Sequence, residues 1–178
     1  LGRIHDRDQA MSAVSQAQRA GFENINLDLM HGLPDQGIDD AAKDLTDALA
    51  LEPEHLSWYQ LTIEPNTEFY KRPPQLPEDD MLAAIQERGF ELLAGAGFEH
   101  YEVSAFARHG RASVHNGNYW QFGDYIGVGA GAHGKLTLSD GKIVRTRKTR
   151  LPKDYLSSAG KCERNGEVIS TEALPFEF

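Results

Sequence analysis

The sequence is poor in cysteine and lacks long apolar runs. Its 178 residues include one cysteine, Cys162, so an intrachain disulfide framework is excluded and a reducing, cytoplasmic location is favoured. No stretch reaches the roughly 18 consecutive apolar residues that a transmembrane helix needs. We therefore expect a cytoplasmic protein without a membrane span.

Basic residues are also scarce relative to acidic ones. Lys and Arg number 18 against 27 Asp and Glu, which gives a formal net charge of −9. Broad nucleic-acid binding needs a basic surface and is disfavoured. The sequence nevertheless contains one basic cluster, which is formed by Arg145, Arg147, Lys148 and Arg150. Two interpretations stay open for it, a solvated strand face and an anion site.

Several common signatures of chemistry are missing. The chain has no His-Glu-x-x-His zinc pattern, no Gly-x-Ser-x-Gly elbow and no signature of a cysteine nucleophile. The glycine-rich segment 127–134 fits neither a P-loop nor a dinucleotide fingerprint. Small residues let a backbone approach either a ligand or another segment closely, and both interpretations stay open.

The first half of the chain alternates helical and strand patterns. Apolar residues recur at helical spacing over 6–20, 38–50 and 78–96, and strand patterns cover 23–30 and 56–63. This order predicts α/β architecture, with the two strands as parallel neighbours because crossover connections are right-handed. A long loop is predicted over 64–77, between the second strand and the third helix.

The first predicted strand carries an unexpected polar row. Leu27 and Leu29 share one face, whereas Asn26 and Asp28 share the other. A parallel strand that is covered on both faces is normally apolar throughout. The polar row therefore indicates a face that lines a ligand-binding lumen.

The pattern changes after residue 97. Residues 98–107 are predicted to form one strand, and 135–138 and 142–146 a β-hairpin, since the Asp140-Gly141 pair favours a tight two-residue turn. A short helix is predicted over 152–160. We therefore expect one domain over 1–97 and a β-rich extension over 98–178.

Two of the seven histidines, His115 and His133, differ from the others in their sequence surroundings. His115 is close in sequence to Tyr119 and Trp120, a combination that suits a flat apolar ligand, and a histidine ring nitrogen is a common axial ligand of haem iron. On the pattern alone, ordinary loop packing remains the alternative. The isolated histidines are expected to be surface or hydrogen-bonded core residues: His5, His55, His100 and His109.

Short segments spread along the whole chain carry a family resemblance. They are residues 1–5, 26–34, 56–59, 63–67, 101–104, 115–116 with 119–120, and 129–133. In this order they resemble the radical S-adenosylmethionine (SAM) proteins related to oxygen-independent coproporphyrinogen III oxidase, and within these the haem-chaperone branch.

This resemblance implies a fold and cofactors. The expected fold is the C-terminal portion of a partial (β/α)6 radical SAM TIM-like barrel over 1–97, and then a small β-rich extension over 98–178 with a haem-motif loop, cut before a C-terminal helical domain. The implied cofactors are SAM, a [4Fe–4S] cluster and haem. The cluster-binding cysteines are absent from this sequence, so the fragment alone is expected to be inactive.

The resemblance also assigns residues. The SAM contacts of the family match Arg3, Asp28, Thr62 and His133. Arg3 would pair the methionine carboxylate, and Asp28, expected at a strand end, would accept from ribose hydroxyls. The haem motif of the branch matches His115, Asn116, Tyr119 and Trp120, with His115 as the candidate iron ligand. The sequence departs from the branch at Ala105 and Gly117. No catalytic residue is assigned.

Three functions follow from these observations. The first is a haem chaperone that binds haem and passes it to an acceptor protein, with peripheral membrane contact through the acceptor left open. The second is an oxygen-independent coproporphyrinogen III oxidase. The third is an α/β domain with no activity of its own. A partial barrel also exposes a strand edge at 24–30, which predicts self-association.

Overall fold

The computed structural model describes residues 5–157 and 165–169 and divides the chain into two compact units, Leu1–Ala112 and Ser113–Phe178. Arg3, Cys162 and the last three residues of the helix predicted over 152–160 lie outside the described ranges. Within those ranges, no helix is long and apolar enough to cross a membrane.

The first unit contains a mixed sheet with helices. Its elements are α1 Arg7–Arg19, β1 Asn26–His31, α2 Ile38–Leu49, β2 His55–Gln60, α3 Glu68–Lys71, α4 Asp79–Gly95, β3 Glu99–Glu102 and β4 Ala105–Ala107. The three predicted helices and the first two predicted strands are confirmed. The predicted loop over 64–77 contains the short helix α3. Thr67 is its N-cap, because the Thr67 hydroxyl accepts from the Tyr70 N–H at 3.1 Å.

The strands β1 and β2 are parallel neighbours, as predicted. Their register runs from Asn26 opposite His55 to His31 opposite Gln60. The sheet order is β1-β2-β4-β3, so β1 is an edge strand of this sheet. The expected open edge at the first strand is therefore present among the described residues.

An apolar core lies between the sheet and α2 and α4. Leu45 and Leu93 are fully buried from the helix side, and Trp58 and Phe106 from the sheet side. At Gly89, a Cβ atom would lie 1.8 Å from Cη2 of Trp58. Glycine is therefore required in the middle of α4 so that the indole can pack against the helix backbone.

The single strand predicted over 98–107 is wrong. The structure forms two antiparallel strands, β3 and β4, joined at Val103 and Ser104. Ser104 turns the chain with a φ of 57°, a left-handed conformation that serine rarely signals in a sequence. Both strands belong to the sheet of the first unit. The boundary between the two units lies between Ala112 and Ser113, whereas the sequence pattern changes at residue 98.

In its described residues the second unit contains a small antiparallel sheet and two short helices. Its elements are α5 Val114–Trp120, β5 His133–Thr137, β6 Ile143–Arg147, α6 Pro152–Ser157 and β7 Asn165–Val168, with strand order β5-β6-β7. The predicted hairpin is confirmed, but its two-residue turn is not. The Leu138 N–H donates to the Lys142 carbonyl at 2.8 Å, and Gly141 closes a longer loop with a φ of 82°.

A polar cluster around Asp124 organises the second unit. The Asp124 carboxylate accepts from the Lys135 ammonium at 3.0 Å and from the N–H and hydroxyl of Thr137 at 2.9 and 2.8 Å. These donors, the Thr137 backbone first, hold the pKa of Asp124 at about 2. The Lys135 ammonium also lies 4.0 Å from the Phe122 ring centroid, so this buried cation is compensated on two sides.

Candidate cofactor-binding faces

Asp28 lies on the polar face of β1, as the alternation predicts. Leu27 and Leu29 pack against the apolar core, whereas Asn26 and Asp28 are exposed. The expected position at the strand end is wrong, because Asp28 lies inside β1 and is paired in register with Ser57. The strand continues to His31, since the Leu61 N–H donates to the His31 carbonyl at 2.8 Å.

A hydrogen-bonded network holds the side chain of Asp28. The Asn26 amide donates to the Asp28 carboxylate at 3.0 Å, and its oxygen accepts from the Ser57 hydroxyl at 3.1 Å. The same Asn26 oxygen lies 2.6 Å from Nδ1 of His55, and Nε2 of His55 bonds to the Tyr101 hydroxyl. The carboxylate is therefore oriented by three strands of one sheet.

This network fixes the state of His55. Because Nδ1 faces an amide oxygen, Nδ1 carries the proton and Nε2 accepts from Tyr101. Burial lowers the pKa of His55, and the nearby charge of Asp28 opposes this shift in part. His55 is thus a neutral, hydrogen-bonded core histidine, which agrees with the expectation for the isolated histidines and gives it a role beside Asp28.

Thr62 lies beyond the end of β2, in the loop after the strand. Its side chain is exposed, and its hydroxyl donates to the Glu64 carboxylate at 3.1 Å. In α/β barrels, loops at this end of the strands carry binding residues. The position is compatible with a ligand contact through the backbone.

His31 is a polar core residue that the sequence reasoning did not single out. It is 3% exposed and its ring lies 4.2 Å from that of Trp58, with Nδ1 buried and without a hydrogen-bond partner in the described part of the chain. Burial lowers the pKa of His31. Its only signal in the sequence was its place at the end of a strand, before Gly32.

The haem motif forms a helix and not the predicted loop. The Ser113 hydroxyl accepts from the Asn116 N–H at 3.3 Å and begins α5. His115 and Tyr119 then share one face, with ring centroids 4.9 Å apart in an edge-to-face arrangement. The seven residues of α5 include no buried residue, and Trp120 is 50% exposed.

Two further positions in the second unit bear on the predicted sites. Gly117, where the family branch has an apolar residue, has open space around the position of a Cβ atom, so this departure leaves the packing of α5 unchanged. His133 begins β5, is exposed and pairs in register with Arg147. It therefore lies beside the basic cluster rather than in the aromatic motif.

The structure thus places the predicted residues in two groups. Asp28 and Thr62 belong to the first unit, and Arg3 lies outside the described residues. The others belong to the second unit: His115, Asn116, Tyr119, Trp120 and His133. Among the described residues no three His, Cys, Asp or Glu gather into a metal site, whereas a single axial histidine such as His115 requires no such group.

Comparison with known structures defines the fold class. The chain superposes on the solved structure of coproporphyrinogen III oxidase (HemN) from Escherichia coli, described as a radical SAM enzyme, with a TM-score of 0.72 and 18% identity. The match covers 98% of this chain and 43% of that one. The predicted fold, part of a TIM-like radical SAM barrel followed by a β-rich segment, is therefore confirmed.

Sequence comparison identifies the particular relatives. No family model matches. The chain is 53% identical over 178 residues to "Heme chaperone HemW" of E. coli strain K12, and 52% identical to that of Haemophilus influenzae. Each match covers all of this chain but 47% and 46% of the relative, so the chain spans about half the length of these proteins. The resemblance to radical SAM haem chaperones is confirmed along the whole chain.

Proposed function

We propose that this chain forms part of a radical SAM haem chaperone and binds haem through His115. The observation that carries the proposal is the arrangement on α5, where an exposed imidazole lies against Tyr119 while Trp120 is half exposed on the same helix. A ring nitrogen of His115 is free of helix packing, since α5 buries no residue. Such a nitrogen can reach the iron of a haem lying on the helix.

The apolar side chains of the second unit suit the macrocycle. Val114, Ile126 and Val128 are 84%, 78% and 81% exposed, and Tyr119 is 45% exposed. Covering exposed apolar area contributes roughly 25 cal/mol per Å². The macrocycle of haem offers a flat apolar surface of this kind, which supports haem over a small polar ligand.

We further propose that Asp28, Thr62 and His133, together with Arg3, contact SAM in the intact protein. The exposed carboxylate of Asp28, held by Asn26, suits a pair of ribose hydroxyls. SAM and the [4Fe–4S] cluster would supply radical chemistry when bound, with the cluster ligands outside this sequence. The chain's own contribution would be to orient the nucleoside and to keep its sheet face polar.

The proposed partner is a haem-acceptor protein, and the proposed location is the cytoplasm. The acidic balance of the chain supports a partner other than nucleic acid. Membrane contact would occur only through the acceptor. The exposed edge of β1 supports self-association of the fragment in isolation.

The second candidate is oxygen-independent coproporphyrinogen III oxidase. The structural match to the E. coli enzyme favours this candidate. At 18% identity, however, that match shows the fold alone. The curated relatives, at more than half identity, carry the chaperone name instead. If the intact protein, reconstituted with cluster and SAM, converts coproporphyrinogen, the oxidase replaces the chaperone as the conclusion.

Haem titration of the intact protein tests the proposal. We expect a shifted Soret band in the wild type that is lost in His115→Ala, because the axial nitrogen is removed. His109→Ala is the matched control, since that histidine is also exposed and pairs with Glu99 in the other unit. An unchanged Soret shift in His115→Ala would reject His115 as the ligand.

Titration with SAM tests the role of Asp28. Asp28→Asn removes a charged acceptor and should weaken SAM binding about tenfold, with the fold retained. Glu87→Gln, which removes an exposed carboxylate from α4, should leave the affinity unchanged. Equal SAM affinity in Asp28→Asn and wild type would leave Asp28 with a structural role only.

A further inference from the structure

A basic pocket lies on the second unit where β5 begins and β6 ends. Its volume is about 700 Å³, and it is lined by three basic residues, Arg147, Lys148 and Arg150, and by His133. Among the described residues that line it, none is acidic. In a chain of net charge −9, a pocket of this sign is the local exception.

Two of these cations have no carboxylate partner among the described residues. Lys135 is paired with Asp124, and Lys142 with Asp140 at 2.8 Å. In the part of the chain that the structure describes, Arg147 and Arg150 have no carboxylate within ion-pair distance. A bound anion would supply a counter-charge to these guanidinium groups.

The glycine-rich segment builds the wall of this pocket. The Gly131 N–H donates to the Thr149 carbonyl at 2.7 Å, and the Lys148 N–H donates to the Ala132 carbonyl at 2.8 Å. Gly131 has a φ of 74°, so a side chain there would be strained. The segment thus pairs with the backbone that follows β6, between Arg147 and Arg150.

A row of aromatic contacts leads from the haem motif to Arg145, two residues before Arg147 in the same unit. The rings of Tyr119, which contacts His115, and Tyr125 lie 4.7 Å apart, and Nη1 of Arg145 donates to the Tyr125 hydroxyl at 2.9 Å. Arg145 and Arg147 share one face of β6, because side chains alternate along a strand. Glu167 of β7 lies opposite Arg145 in register.

We propose that this basic pocket binds the propionate carboxylates of the haem whose iron is bound at His115. The inference rests on the proposed haem-binding function and assigns the anionic edge of the ligand to Arg147 and Arg150. Guanidinium groups bind carboxylates through paired hydrogen bonds. The carboxylate of SAM offers the same chemistry, but SAM also carries a sulfonium and an ammonium, so its net charge is positive and the pocket favours the haem.

The test compares two double variants of the intact protein, each titrated with haem, with the dimethyl ester of haem and with SAM. Arg147→Ala/Arg150→Ala removes the proposed contacts. Arg19→Ala/Arg111→Ala removes the same charge from exposed arginines of the other unit. We expect the first pair to weaken haem binding by at least about tenfold, and to leave binding of the ester and of SAM unchanged. The control pair should change none of the three.

The outcomes separate this inference from the proposed function. A Soret shift that depends on His115 but is indifferent to Arg147→Ala/Arg150→Ala would overturn the pocket assignment and retain the haem site. Weakened SAM binding with unchanged haem binding would assign the pocket to the SAM carboxylate and overturn the inference. Equal affinities of the wild type for haem and its ester would also overturn it. The absence of any Soret shift in the wild type would reject both.

Discussion

The two units are stabilised by different interactions. In the first unit, apolar residues from α2, α4 and the sheet form the buried core, among them Leu45, Trp58 and Phe106. In the described residues of the second unit, the large buried side chain is that of Lys135, which pairs with Asp124. The first unit therefore depends on apolar packing, and the second on a few polar contacts.

Because of this difference, the residues that stabilise the fold are distinct from the residues that are available to bind a ligand. The apolar core holds the sheet that presents Asp28, while the second unit leaves its aromatic and basic side chains exposed because few of them are needed for a core. A ligand that covers those side chains would add the apolar contacts that the second unit lacks. The three predictions that follow perturb one unit at a time.

The largest effect is expected at Gly89. In Gly89→Ala the new methyl group would overlap the Trp58 indole, so the ring or α4 must move, and we expect a loss of about 1–3 kcal/mol in the free energy of unfolding. Gly95→Ala in the same helix meets open space and should be neutral or stabilising by up to about 1 kcal/mol. Urea unfolding checks both. Equal midpoints for the two variants would contradict the packing.

The next largest effect is expected in an acid titration, in which the stability of the two units should depend differently on pH. His31 and His55 have lowered pKa values, so their contribution to stability is present above their ordinary pKa of about 6.5 and is lost as the pH falls. Asp124, with a pKa of about 2, contributes above about pH 4 and loses this contribution only between there and pH 2. Between pH 7 and 5 the first unit should therefore weaken while the second does not.

Fluorescence can follow this titration because each unit contains one of the two tryptophans, Trp58 and Trp120. In Trp120→Phe the emission reports the first unit alone. Asp124→Asn should reduce the dependence of the second unit on pH between 4 and 2, with no change in the Trp58 signal between pH 7 and 5. Simultaneous loss of both units at pH 5 would contradict the comparison.

The smallest effect is expected at the N-cap of α5. Ser113→Ala removes the acceptor for the Asn116 N–H, which should cost about 1 kcal/mol and reduce the helicity that presents His115. Ser139→Ala in the hairpin loop removes a hydroxyl without a hydrogen bond in the described residues and is the control. Circular dichroism and haem titration measure the two effects. A fully retained helix in Ser113→Ala would show that α5 does not depend on this cap.

The sequence predicted the first unit well because its signal is periodic. Helical spacing identified α1, α2 and α4, and alternation identified the face of β1 that carries Asp28. The turn at Ser104 was missed because a left-handed φ at a serine leaves no local signal. The helix α5 was missed because its seven residues include a glycine and no buried residue, so only the Ser113 cap indicates it.

Site residues that belong to a sequence motif could be predicted. Contacts between residues that are far apart in the sequence could not. Asn26 lies 29 residues from His55, and Tyr101 lies 46 residues from it, so their hydrogen bonds follow from strand order and register. The sequence alone left the basic cluster open between a solvated face and an anion site. Its pairing with the glycine-rich segment depends on the same kind of long-range register.

The Asn26 amide has a spectroscopic consequence. Because its oxygen accepts from Ser57 and His55 while its nitrogen donates to Asp28, the amide cannot flip without losing all three bonds. Its side-chain ¹⁵N resonance should therefore be a single sharp signal, and protonation of His55 or occupation of Asp28 should each shift it. One amide group thus offers a probe of the polar sheet face that requires no label on any ligand.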